Sequence, residues 1–139
     1  MKFAPLILVL GFLAGCATDD TRLHGTWRSN REATVAAAYQ RNTTLTNMPP
    51  ERIEFFNDIF GHLSMTYSNR MATTVFRGKK EGTFRYRVLA KGSDFVVIRS
   101  GTPWAKGQDF RLRFVDGGRA YWVNATTKFD ERFDRVDER

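Results

Sequence analysis

From Gly61 onward the apolar residues of this chain recur at every second position, and that period limits the fold more than any other feature. Leu63, Met65 and Tyr67 alternate with polar neighbours. Phe84, Tyr86 and Val88 alternate with Arg85, Arg87 and Leu89, and Phe110, Leu112 and Phe114 with Arg111, Arg113 and Val115. Period two sends successive side chains to opposite faces, so each segment reads as a half-buried strand. Met71–Phe76, Phe95–Arg99, Arg119–Asn124 and a last segment over Phe129–Val136 extend the series, although Phe129 and Phe133 fit either a strand or a helix. Ser68-Asn69-Arg70, Arg77-Gly78-Lys79-Lys80 and Lys91-Gly92-Ser93-Asp94 break the pattern as turns. Asp116-Gly117-Gly118 is the strongest hairpin signal, because glycine takes positive φ at little cost.

Before Gly61 the pattern differs. Gly25-Thr26-Trp27-Arg28-Ser29 reads as a first strand, since Thr and Trp suit half-buried pleated positions. Asn30 is placed to cap a helix over Arg31–Arg41, where Val35 and Tyr39 lie four apart. A second helix is predicted from Pro49 or Pro50 to Phe60: the prolines fit its first turn, Glu51 suits the positive end of its dipole, and Gly61 stops it. Ile53, Phe56 and Phe60 make a core-facing stripe. The expected fold is therefore mainly β: a small antiparallel up-and-down β-barrel of about eight strands, with a two-helix insertion after the first. Closure removes the exposed edges that so aromatic a set of strands would otherwise present.

The N-terminus reads MKFAPLILVLGFLAGC, a positive start, an apolar run and then small residues before Cys16. This is the layout of a secretory signal, too short for a spanning helix. Leu13-Ala14-Gly15-Cys16 resembles the lipobox of bacterial lipoproteins. The resemblance implies cleavage before Cys16, lipid on its thiol and attachment to a membrane, at roughly 0.8 kcal/mol for each buried methylene. Residue 17 is Ala and not Asp, which under the sorting rule of that group points to the outer membrane, facing the periplasm. Residues 1–15 then form a lipoprotein signal peptide, 16–23 a lipidated tether and 24–139 the barrel domain. Cys16 is the sole cysteine, so no internal disulfide forms. Of the formal charge of +7, Lys2 leaves with the leader, and the arginine-rich remainder is spread along the chain. That balance suits anionic headgroups or glycans, or serves solubility alone; nucleic acid is the wrong partner for an exported chain.

Gly25-Thr26-Trp27 resembles the G-x-W signature on the first strand of lipocalins, and the helical insertion resembles the lid of fatty-acid-binding proteins. The resemblance to this calycin group implies that Trp27 closes the base of a barrel. It also implies that an arginine of the last strand, Arg135 or Arg132, packs across its ring. The chain departs from the group where fatty-acid-binding proteins carry an Arg-x-Tyr clamp. Here the stretch reads Glu131-Arg132-Phe133, so a carboxylate clamp is unsupported.

Signals for catalysis are sparse. His24 and His62 stand apart at strand ends, with no Cys/His cluster to hold a metal. Asp19-Asp20, Asp130-Glu131 and Asp137-Glu138 are adjacent in sequence and read as solvation of tether and terminus. No nucleophile elbow and no phosphate-cradling loop is present. The sequence therefore predicts no enzyme, no cofactor and no metal. If the aromatic residues point inward, Arg85, Arg87, Arg99, Arg111 and Arg113 form an outer basic stripe. Tyr67, Phe84, Tyr86, Phe110 and Phe114 then line the interior, with Tyr121 or Trp122 adding a polar tip. Of the twelve phenylalanines, the ten that remain without Phe3 and Phe12 of the leader are enough to fill such a barrel, so cavity and packed core both stay open. Trp104, in the Gly101–Gly107 loop, suits a membrane interface, a gate or a plug. The expected function is non-catalytic binding of a small apolar or amphipathic ligand. The alternative is a protein-interaction module, an envelope assembly factor or an enzyme inhibitor, with a filled core.

Overall fold

The computed structural model describes residues 19–41, 47–101, 108–124 and 130–136. The lipobox with Cys16, the Trp104 loop, Phe129 and the Asp137-Glu138 pair lie outside the described residues, as does the side chain of Phe56. Eight strands close into one antiparallel barrel in sequence order, β1 pairing with both β2 and β8. They are β1 (Gly25–Ser29), β2 (Leu63–Ser68), β3 (Met71–Phe76), β4 (Lys79–Lys91), β5 (Phe95–Ser100), β6 (Asp109–Val115), β7 (Ala120–Asn124) and β8 (Asp130–Arg135). The helices α1 (Arg31–Arg41) and α2 (Pro50–Ile59) follow β1. The last segment is thus a strand. Β4 starts earlier than its lysines suggest: Arg77 and Gly78, at φ 51° and 78°, make the whole turn, and Lys79 and Lys80 already pair with β3. Among the described residues no helix is long and apolar enough to cross a membrane.

The pleat sorts the side chains as the alternation requires. Tyr67, Ala72, Tyr86, Ile98, Leu112 and Phe133 face inward and are buried. On the outside, Thr26 and Thr66 share a hydroxyl contact at 2.9 Å, and Thr73 and Thr83 another at 3.0 Å, cross-strand pairs that suit a wet face. The weak point of the closure is the short β1–β8 ladder, which ends at Ser29 and Phe133. Helix α1 covers the strand edge left above it. The Asn30 N–H donates to the Arg132 carbonyl at 2.8 Å, and the buried Thr34 hydroxyl accepts from the Arg132 N–H at 3.0 Å. Asn30 also caps α1 as expected, its side-chain oxygen accepting from the Ala33 N–H at 2.9 Å. Helix α2 buries less: Phe60 packs with Ala38, whereas Phe55 is 71% exposed.

One end of the barrel is closed by the chain that enters it. Residues Thr21–Leu23 form a 3-10 turn capped by Asp20, and Leu23 is fully buried. Asp20 is buried and paired with Arg22, whose guanidinium also donates to the carbonyls of Gly92, Ser93 and Phe95. The Asp19 carboxylate accepts from the Tyr86 hydroxyl at 2.8 Å and meets His24 Nε2 at 2.7 Å. Of the tether expected over 16–23, the described residues 19–23 pack against the barrel end. From Asp19 on, these residues belong to the barrel, because their carboxylates satisfy donors that the barrel end would otherwise leave unpaired.

Gly25 is required where it stands. Its φ is +118°, and a Cβ there would lie 2.8 Å from Arg135 Nη1. Gly25→Ala is expected to destabilise the barrel by roughly 2–3 kcal/mol from the strained backbone and the displaced guanidinium. Urea denaturation measures it, and a change below the error of that method would contradict the placement.

Candidate functional site

Trp27 sits at the closed end with no exposed surface, and its indole N–H donates to the Leu23 carbonyl at 2.7 Å. The Arg135 guanidinium lies over the indole at 4.2 Å and donates to the carbonyls of His24 and Arg22 at 2.6 and 2.7 Å. Of the two arginines expected for this position, Arg135 takes it. Arg132 points outward, pairing with Asp116 and Asp134 and lying 6.0 Å from the Trp122 ring. Phe114 belongs to this closed end as well. It packs 6.4 Å from Trp27 with the Arg22 guanidinium 4.9 Å from its own ring, and it does not line the cavity. The expectation for Phe114 as a lining residue is corrected accordingly. Inward positions on β6 descend from Phe110 through Leu112, and Phe114 is the step that reaches the plug.

Above the plug the barrel is hollow. A half-enclosed cavity of about 370 Å³ occupies the end that carries the helices. Tyr67, Phe84, Tyr86 and Phe110 line it, as the alternation predicts. Leu63, Met65, Ile98, Leu112 and Val123 supply most of the remaining apolar wall. Exposed Gln108, just ahead of β6, contributes to the rim.

The polar groups of the cavity are few. Tyr67 and Tyr121 face each other across it with their hydroxyl oxygens 3.4 Å apart. Burial raises the Tyr67 phenol to about 12 and carries Tyr121 well above its ordinary value, so both remain protonated donors at neutral pH. Tyr86 presents its ring edge-on to Tyr67 at 5.5 Å, but its hydroxyl is spent on Asp19 and the Ser68 carbonyl. Glu131 is the unexpected member. It faces inward beside Val123 and Phe133 and is 8% exposed. Its Oε1 accepts from the Ser29 hydroxyl at 2.5 Å, and Ser29 in turn accepts from the Gly61 N–H at 3.0 Å. Burial pushes the Glu131 carboxyl above its ordinary value more strongly than the Ser29 hydroxyl pulls it down.

The chain matches no known family model, no curated protein and no solved structure.

Among the described residues, Tyr67, Tyr121 and Glu131 gather buried polar groups in the interior. Among the described residues no group of His, Cys, Asp and Glu side chains could hold a metal ion. His24 is bound to Asp19, and His62 lies between Asp58 and Arg31. Both stabilise local structure. Arg85, Arg87, Arg99, Arg111 and Arg113 all stand exposed on the outer face, as the alternation predicts. Arg99 is neutralised by Asp109 at 2.8 Å, and Arg111 lies over the Phe95 ring at 4.1 Å. Glu131 and Tyr121 are the site residues that the sequence reading missed or left open. The signal for Glu131 was present: with Phe133 inward, period two puts Glu131 on the same face.

Proposed function

We propose that this chain is a lipid-anchored binding protein of the bacterial envelope that holds one small apolar or amphipathic molecule inside its barrel. The cavity carries this reading. At about 370 Å³ it falls within the range of roughly 300–1,000 Å³ that ligand sites occupy. Its wall is mostly aliphatic and aromatic, with a few hydroxyls and one carboxylate to orient a guest. The volume is at the small end of that range, which suits a single-tailed or compact molecule. A filled barrel would favour the interaction module, and this one has room inside. The closing Trp27–Arg135 pair and the helices beside the cavity add to the likeness with calycin-type carriers. The lipobox at Cys16 and the Ala after it support anchoring in the outer membrane on the periplasmic side. The exposed arginines of β4, β5 and β6 suit contact with anionic headgroups or glycans.

Native mass spectrometry of the protein, released gently from its own envelope, tests the carrier role. A co-purifying small molecule is expected on the parent chain and is expected to be lost from Ala72→Phe. Ala72 is a buried cavity-lining residue, and a ring added there occupies the guest volume. A clean unliganded mass for the parent chain would count against the role.

A further inference from the structure

Resting on the carrier reading, we infer that the cavity selects amphiphiles with a protonated amine head, and that Glu131 recognises that head. The first observation is the state of the Glu131 carboxylate. It lines the cavity at 8% exposure, and one oxygen is fixed by Ser29, itself held by Gly61. Among the described residues nothing donates to the second oxygen. A carboxylate at 8% exposure in an apolar wall is costly unless a donor or a cation joins it.

The second observation is the sign of the lining. Among the described residues around the cavity no lysine, arginine or histidine appears, and Glu131 is the sole carboxylate. A fatty acid or phosphate head would find no cation there and one like charge. A neutral alcohol would gain a hydrogen bond. An ammonium gains the same hydrogen bond and an ion pair with it, with Oε2 as acceptor. The neighbouring wall carries no competing charge: Tyr121 and Phe133 line it with their rings stacked on each other at 5.2 Å. The apolar side chains of Leu63, Met65 and Phe110 then take the tail.

The overall charge makes this inference testable. At +7 the chain attracts anions and repels cations from its outer surface, so an amine preference can arise only where the local field is reversed. Titration calorimetry on the full chain carrying Cys16→Ser compares decylamine, decanol and decanoate at pH 7. Decylamine is expected to bind about tenfold more tightly than decanol, because the ammonium adds an ion pair to the hydrogen bond that both heads can donate. Decanoate is expected to bind most weakly. Glu131→Gln should abolish the preference for the amine over the alcohol, and a circular dichroism spectrum like that of the parent shows that the barrel is intact. Val123→Lys, which sets an internal ammonium across the β7–β8 ladder from Glu131, is a second route to the same loss. Equal affinities for all three probes in the parent chain, or an amine preference that survives both variants, would overturn amine selection and leave the carrier standing. If none of the three binds the parent chain, the carrier reading falls and the inference with it.

Discussion

Trp27→Ala is expected to cost roughly 3–5 kcal/mol, the usual range for deleting a large buried aromatic. A loss of that size should lower Tm by more than about 10 °C. The indole is fully buried and contacts Tyr121 at 4.8 Å and the Arg135 guanidinium at 4.2 Å. Its removal also leaves the Leu23 carbonyl without its donor. Trp27→Phe keeps a ring but not the N–H and should fall between, at about 1–2 kcal/mol. Arg135→Lys should not rescue the closed end. A guanidinium lies flat on the indole while its fork reaches two carbonyls, and an ammonium on a flexible stem cannot do both. Thermal unfolding followed by near-ultraviolet circular dichroism reads all three variants. A Trp27→Ala protein that melts within a few degrees of the parent would show that the barrel does not depend on its plug.

Cys16→Ser is expected to move essentially all of the protein from the membrane fraction to the soluble one. With Cys16 acylated as proposed, the lipid is the attachment expected to dominate. Each acyl chain contributes many methylenes at roughly 0.8 kcal/mol apiece, and two chains hold where a basic surface alone exchanges rapidly. Fractionation at low and high salt separates the two contributions. Residual binding through the outer arginines should disappear at high salt, since screening shortens the range of exposed charges. Parent and variant chains that both stay in the membrane, at the unprocessed mass, would refute the lipobox reading.

The barrel was legible because its evidence is distributed. Each strand repeats the same alternation, and an error at one residue does not move the others. Asn30 and Gly61 were legible for a different reason: a helix cap and a left-handed stop are local demands that few residue types meet. What failed was depth along the barrel. Alternation tells inside from outside but not which inward residues meet the plug, so Phe114 was placed in the cavity wall. The 19–23 segment was misread because acidic residues next to each other look solvated. Its partners Tyr86, Gly92 and Phe95 lie some seventy residues away in sequence, and only closure of the barrel brings them near. Glu131 was masked by its neighbour. Asp130 is a charged residue on the outer face, paired with Arg41, and reading the two acids as one unit hid that the pleat sends them to opposite sides.

The pinning of Asp19 has a consequence for traffic. In an up-and-down barrel the entering chain and the helices leave from opposite ends, so the plug is the floor and the cavity belongs to the far end. Asp19 is fastened to that floor by Tyr86 and His24, and only three peptide steps separate it from Cys16. Three steps reach at most about 11 Å. With Cys16 acylated as proposed, the floor is moored against the headgroups and the mouth is turned away from the bilayer that holds it. Such a cup loads and empties through water, not by sliding a molecule sideways out of its own membrane. The guest proposed for it then has to tolerate an aqueous crossing, which a single tail with a charged head does far better than a two-chain lipid.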